Sequence, residues 1–191
     1  MVAAGRCRLH RGDPQDERRQ VRQEGAAREV PDPRAPNGVT DEITIRPITA
    51  DDFDAVAELL AELGRPTLSD ASRAAAAEVY RRHVDRSDTA SLLAERDGRA
   101  IGFCSLEFRD RLNWGVEQAW IPDLIVTADT RGLGAGKALL ARAFQLAAQR
   151  GCWSVTLESG YQRTAAHELY RSSGMSNDGY YFLLRMADPP A

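Results

Sequence analysis

The sequence predicts an α/β fold, a mixed sheet with flanking helices, and three observations carry that expectation. Short runs of alternating or continuous apolar residues, the mark of strands, are interleaved with segments whose apolar residues recur every three or four positions, the mark of helices. In order they read β-α-α-β-β-β-α-β-α-β, an alternation that belongs to sheets covered by helices. One of the strands enters its helix through a turn with three glycines in the five residues from Gly132 to Gly136.

The chain has 191 residues, enough for one domain and a tail. Residues 1–40 form the expected tail. They are rich in Arg, Pro, Gly and Gln, with eight arginines against six acids, and poor in aromatic and β-branched residues. That composition buries too little apolar surface to offset its ordering entropy, so a disordered N-terminal extension is expected rather than a binding arm. Its surplus of two positive charges, set against the net −3 of the whole chain, leaves −5 for the folded domain expected over residues 41–191.

The domain opens with Ile43-Thr44-Ile45-Arg46-Pro47, which alternates as a strand does. Thr49 then caps a helix whose first turn holds Asp51 and Asp52, acids that suit its dipole. Phe53, Val56, Ala57, Leu60 and Leu63 form the apolar stripe, and Gly64 ends it. Ser69 opens a second helix that runs to about Asp85. Ser91–Glu95 and Ala100–Phe108 read as strands joined by an Asp97-Gly98 hairpin turn. After a loop with Asn113 and Trp114, Ala119–Thr127 reads as one buried strand. A helix from about Gly134 to Arg150, a strand Ser154–Ser159, a helix Arg163–Ser173 closed by Gly174, and a strand Tyr180–Met186 complete the order.

Composition narrows the function. An apolar content of 43% suits a packed core. No segment approaches the ~20 apolar residues of a membrane span, and the N-terminus lacks the apolar run of a secretory signal, so a cytoplasmic protein without a membrane partner is expected. The net negative charge weighs against nucleic acid as a partner. Cys7, Cys104 and Cys152 are scattered, with no CxxC or Cys/His cluster, so no metal site is expected. Cys104 and Cys152 are expected to be buried thiols rather than nucleophiles.

The chemistry is concentrated in Arg131-Gly132-Leu133-Gly134-Ala135-Gly136-Lys137. Glycines are entropically costly, and their density here makes sense if backbone N–H groups must turn inward. A strand, a glycine turn and a helix N-terminus together form an anion site, and Arg131 and Lys137 add positive charge. A pyrophosphate is the natural guest. A Walker P-loop is excluded because Arg131 stands where its first Gly belongs and Ala138 where its Ser or Thr belongs. A Rossmann fingerprint is excluded because GxGxxG begun at Gly132 meets Lys137, and begun at Gly134 meets Leu139.

Arg131-x-x-Gly134-x-Gly136 resembles the acetyl-CoA-binding motif of the GNAT superfamily, the Gcn5-related N-acetyltransferases, and the resemblance covers about residues 43–186. Downstream, Ala166-His167-Glu168-Leu169-Tyr170-Arg171-Ser172-Ser173-Gly174-Met175 is similar to the family's Ala-x-x-x-Tyr-x-x-x-Gly-Phe helix, with Met175 in the aromatic position. The resemblance implies a mostly antiparallel central sheet. It implies that the strand before the cradle splays from its neighbour, so that Leu124, Ile125 and Val126 pair with pantetheine while the amides from Gly132 through Leu133, Gly134, Ala135 and Gly136 to Lys137 take the pyrophosphate. Arg163 stands where many members carry Asn and is expected to reach the cosubstrate.

Acetyl transfer to an amine requires a neutral amine, a stabilised oxyanion and a leaving thiolate. Tyr170 matches the family's general acid; a phenol of pKa ~10 is suited to protonating a thiolate. The oxyanion donor implied is a backbone N–H at Ile125 or Val126. The strand positions that carry Glu or His in many members read Gln118, Trp120 and Pro122. Asp123 is the acid expected to act there, as base, ammonium seat or proton relay, with a structural role as the rival; Glu158 on the next strand is the other candidate for these roles, with a structural role expected of it.

The acceptor pocket is expected from Gly64–Leu68, Arg111–Trp114 and Tyr180-Tyr181-Phe182, since loops on a rigid scaffold set specificity. The pattern is also similar to aminoalkylphosphonate and antibiotic N-acetyltransferases. The expected activity is acetyl-CoA-dependent N-acetylation of a small-molecule amine, with a homodimer compatible. The alternatives are a non-catalytic acyl-CoA-binding module and a protein or peptide N-acetyltransferase.

Overall fold

The computed structural model describes residues 42–179 and residue 184. The tail expected over residues 1–40 lies outside the described residues, as does the expected last strand, including Tyr180, Tyr181 and Phe182, apart from Leu184.

The strand β1 (Thr44–Pro47) leads through a single 3-10 turn (Ala50–Asp52) into helix α1 (Phe53–Glu62). The Thr49 amide donates to Asp52 Oδ2 at 2.7 Å, the capping arrangement that the sequence leads one to expect, displaced into the 3-10 turn. Arg46 clamps the junction. Its guanidinium donates to both oxygens of Asp52 at 2.7 Å and to Glu95 at 2.7 and 2.9 Å. Of the expected stripe, Val56 is fully buried and Leu60 and Leu63 pack partly; Leu59, outside that stripe, is buried as deeply as Val56. Helix α2 (Asp70–Asp85) starts at its Ser69 cap.

Strands β2 (Leu92–Arg96) and β3 (Arg99–Cys104) form the expected hairpin, with Asp97 and Gly98 both at positive φ, as a type I′ turn requires. The two longer strands expected next are each broken. Ala100–Phe108 divides into β3 and β4 (Glu107–Arg111). Ala119–Thr127 divides into β5 (Val116–Ile121) and β6 (Leu124–Val126). Pro122 explains the second break: without an N–H it cannot continue a ladder. The first break faces it, because the Ser105 amide donates to the Asp123 carbonyl at 3.0 Å. Helix α3 (Ala135–Gln149), strand β7 (Val155–Leu157) and helix α4 (Thr164–Ser172) follow.

At these paired breaks the sheet parts. One part has the order β1-β2-β3-β6, antiparallel throughout; the other has β4-β5-β7, in which β5 and β7 run parallel. The mixed, mostly antiparallel sheet is thus observed. Side chains alternate between its faces. Leu93, Phe103 and Ile125 pack with Val56 and Leu59 of α1 on one face. Leu92, Cys104, Leu124 and Val126 join Leu139, Leu140 and Ala143 of α3 on the other. Among the described residues no helix is long and apolar enough to cross a membrane.

Candidate active site

Strand β6 carries an open edge. Among the described residues its ladder runs to β3, with Leu124, Ile125 and Val126 opposite Cys104, Phe103 and Gly102. The Ser105 amide bonds to Asp123 O and the Thr127 amide to Ile101 O. In an antiparallel pair the bonded residues alternate, so Ile125 spends its N–H and C=O on Phe103. The backbone groups of Leu124 and Val126 point the other way, toward β7. Strand β7 does not reach them: its pairing with β5 stops at Leu157 opposite Ile121. Of the two donors implied for an oxyanion, the Val126 N–H therefore faces the opening and the Ile125 N–H faces β3. Arg131 Nε donates to Val126 O at 3.3 Å on that same edge.

The glycine turn lies at the end of this edge. Gly132 and Gly134 have φ of +84° and +97°, a region that residues with a Cβ rarely adopt. A Cβ at either would meet nothing within 4 Å, so the glycines are required by backbone conformation and not by crowding. Gly134 caps α3 without a side chain, and the first turn holds no acid. The amides of Ala135, Gly136 and Lys137 are the first-turn donors that an α-helix leaves without intrahelical partners. With the positive end of the helix dipole and Lys137 beside them, they are donors of the kind that take up an anion. Ala135 and Gly136 are buried, whereas Arg131, Gly132, Leu133, Gly134 and Lys137 are exposed. This arrangement fits the pyrophosphate of an acyl-CoA.

Gly136 has a different reason. A Cβ there would stand 3.0 Å from Leu169 Cδ2, so its absence lets α3 and α4 approach closely. The next residue after Leu169 is Tyr170, which packs against the core cluster that holds Leu124 and Val126. Burial pushes its phenol above the ordinary tyrosine value; Arg163 and the Ser159 hydroxyl pull it partly back, while Cys104 adds to the rise. Those neighbours fix its place. Ser159 follows β7 and Cys104 pairs with Leu124 of β6, so the phenol lies near both strands. Ser159 Oγ is itself buried. No sequence pattern singled out Ser159, which reads as the polar end of a strand.

Asp123 lies on the opposite face of the sheet, with Ile125. Its Oδ1 accepts from Arg65 Nε at 2.8 Å and Nη2 at 2.6 Å, and its Oδ2 lies 3.4 Å from Ser105 Oγ. The expected Gly64–Leu68 loop thus reaches the site through Arg65. The Arg111–Trp114 loop does not. It turns the β4–β5 hairpin, about 17 Å along β5 from Ile121 at ~3.4 Å per residue, and Trp114 packs there against Trp153, the rings tilted and their centroids 3.9 Å apart. Arg163 donates to Leu63 O at 3.0 Å, tying the start of α4 to the end of α1. Glu158 accepts from Trp120 Nε1 at 2.6 Å, the structural role expected of it. Cys104 is fully buried and its thiol is pushed up to about 12, chiefly by burial and further by Asp123; Cys152 is partly buried. Both are inert packing thiols. No group of three or more metal-ligating side chains occurs among the described residues.

Comparison with known proteins agrees with this geometry. Residues 53–175 match the model of the acetyltransferase (GNAT) family. The uncharacterized N-acetyltransferase YhfO of Bacillus subtilis is 29% identical over 138 residues, 71% of this chain and 91% of YhfO. The uncharacterized N-acetyltransferase YhdJ of the same organism is 42% identical over 67 residues, 35% of this chain; the match spans about half of YhdJ, 47% of its length. Among solved structures, an acetyltransferase of Trypanosoma brucei superposes with a TM-score of 0.63 at 25% identity, covering 76% of this chain and all of that one. A matched segment that spans the cradle, the parted sheet and the Tyr170 helix places the chain in the acetyltransferase (GNAT) family.

Proposed function

We propose that this protein transfers the acetyl group of acetyl-CoA to a primary amine of a small molecule by direct attack. The observation that carries the proposal is the open edge of Leu124 and Val126, which has the glycine turn at one end, with Tyr170 packed against the same core cluster. Pyrophosphate on the amides of Gly132–Lys137 directs pantetheine along this edge, and the acyl group then lies between β6 and β7. The Val126 N–H is the donor for the developing oxyanion. Tyr170, kept protonated by burial, gives its proton to the leaving thiolate. Asp123 faces the other side of the sheet, beside the Gly64–Leu68 loop, where an amine approaches without crossing the acyl-CoA. The net −5 outside the tail favours a cationic acceptor.

The retained phenol favours an enzyme over an acyl-CoA-binding module. The test is thiol release from acetyl-CoA with a panel of polyamines, amino sugars, aminoglycosides, aminoalkylphosphonates and a peptide with a free N-terminus. Transfer to one of the small amines is the expected result. Tight acetyl-CoA binding with no release on any amine supports the module, and release on the peptide alone supports a peptide N-acetyltransferase.

A further inference from the structure

Two residues beyond the apolar row Leu93, Phe103 and Ile125, the same three strands present a polar row. Leu92 stands opposite Cys104, so Ser91 stands opposite Ser105. Leu124 also stands opposite Cys104, so Ser105 in turn stands opposite Asp123. All three lie on the α1/α2 face. Ser91 is 4% exposed and Ser105 5%, positions that an apolar side chain fills in the neighbouring row. Buried hydroxyls in register across a sheet are costly unless bonded, and both are bonded. Ser105 Oγ accepts from the Asp123 amide at 2.9 Å and lies 3.4 Å from Asp123 Oδ2. Ser91 Oγ lies 2.7 Å from His83 Nε2.

The two serines form the one link in the row without a hydrogen bond between its members. The Ala90 amide donates to Leu106 O, so the adjoining Ser91/Ser105 pair is of the close, non-bonded kind, with Cα atoms about 4.5 Å apart. Transfer across this link requires the two hydroxyls to turn toward each other from His83 and Asp123. At the far end His83 lines a surface cavity of about 480 Å³ with Val79, Arg82, Asp85, Arg86 and Glu107. The row therefore runs from the parting of the sheet, under α2, to solvent.

We infer that this row, Asp123–Ser105–Ser91–His83, carries away the proton that the acceptor ammonium must lose before it can attack. The inference rests on the acetyl-transfer reading above and supplies the base that Gln118, Trp120 and Pro122 do not. One proton moves and no electrons are exchanged. The ammonium N–H bond breaks and the proton passes to Asp123. Ser105 takes it and gives up its own hydroxyl proton to Ser91, which passes its own to His83 Nε2, and imidazolium releases a proton into the cavity. His83 acts through Asp123 and is a positioning residue for proton transfer, not one that touches the acceptor. Burial lowers its proton affinity below that of free imidazole, as does Arg86; Glu107, Asp88 and Asp123 oppose this, and Arg82 and Asp85 share its cavity. The balance favours the neutral imidazole, the form that accepts a proton.

The test uses the full chain, saturating acetyl-CoA and the fastest small amine of the panel, in single turnover across pH. His83→Ala and Ser91→Ala should each slow transfer about tenfold or more at neutral pH, with acetyl-CoA affinity by calorimetry unchanged. Imidazole added to the buffer should restore His83→Ala and leave Ser91→Ala slow. The acid limb of the rate profile should move in His83→Ala. If His83→Ala fails to fold, Ser91→Ala, which removes one hydroxyl, carries the test alone. Both variants within about threefold of wild type would overturn the inference, and so would a loss with no imidazole rescue and an unmoved acid limb. A wild-type protein that binds acetyl-CoA yet acetylates no amine would overturn both this inference and the function on which it rests.

Discussion

Leu169 Cδ2 lies 3.0 Å from the point where a Cβ on Gly136 would stand, and this contact joins the two halves of the site. Gly136 belongs to the first turn of the cradle helix, and Leu169 precedes Tyr170. The approach of the glycine turn to the helix that carries the phenol is thereby set by one missing methyl group.

Widening that contact should therefore impair chemistry as well as stability. Gly136→Val adds three carbons against Leu169, and overpacking of this kind costs about 1–3 kcal/mol. A lowered melting temperature is expected, with a fall in turnover larger than the loss of acetyl-CoA affinity, because the phenol moves while most cradle amides stay. Gly136→Ala should show the same pattern more weakly, since Leu169 yields at the end of a flexible side chain. Equal losses in binding and turnover would show that α3, not α4, had shifted.

The cradle can be tested without confusing charge with strain. At φ of +97° any side chain on Gly134 is strained, but Asn and Asp tolerate positive φ better than other residues and have nearly the same shape. Gly134→Asn should weaken acetyl-CoA binding modestly. Gly134→Asp should weaken it about tenfold or more beyond that, because its carboxylate meets the pyrophosphate. Calorimetry on both folded variants gives the comparison, and equal affinities would remove the pyrophosphate from this turn.

The cradle was legible in the sequence because it is local: glycines, a helix start and flanking charge lie within seven residues. The breaks that open the sheet were legible only in part. Pro122 announces one, but Ser105 reads as an ordinary strand residue, and its break follows from the bond to Asp123, 18 positions away. Arg65 and Asp123 are 58 positions apart, and Arg163 and Leu63 are 100 apart. No periodicity relates such pairs; register and helix docking bring them together. The Ser91–Ser105–Asp123 row is invisible for the same reason, since it exists only across three strands. The Arg111–Trp114 loop shows the converse. Its composition suits a binding loop, but the hairpin direction carries it to the wrong end of β5.

Asp123 and the cradle lie on opposite faces of the sheet, which predicts a separation of effects. Asp123→Asn keeps the size of the side chain and removes its charge. The kcat/KM for the amine should fall about tenfold or more, while acetyl-CoA affinity stays within a factor of about two. A parallel loss of acetyl-CoA affinity would mean that the Arg65 pair holds the whole opening in shape, and Asp123 would then be structural.

Acid stability should report on the clamp between β1 and the first turn. Arg46, chiefly through its side-chain hydrogen bonds, holds the Asp52 carboxyl well below the usual carboxylate range, with burial opposing. A carboxyl depressed in the folded state adds stability that is present above its unfolded value near 4 and is lost as pH falls through the folded value. Asp52→Asn should therefore melt below wild type at neutral pH, and the gap should close as pH falls below about 4. A gap that stays constant with pH would assign the loss to geometry and not to charge.

The role of Tyr170 is decided by removing its hydroxyl and nothing else. Tyr170→Phe keeps the ring that packs against the core cluster, so folding and acetyl-CoA affinity should be retained. If the hydroxyl protonates the departing thiolate, transfer should slow roughly 100-fold. The loss should appear in single turnover with saturating acetyl-CoA, because a slow product release can mask it in the steady state. The pH profile offers a second reading. Burial raises the phenol above its ordinary value, so the acid form persists to higher pH, and the alkaline limb in wild type should lie above pH 10, the ordinary tyrosine value. That limb should vanish in Tyr170→Phe. If the ring only packs, the Phe variant should turn over within about threefold of wild type with the limb unmoved, and Tyr170→Ala should instead weaken acetyl-CoA binding. The two accounts thus differ in which variant fails and in which step, and the pair of substitutions separates them.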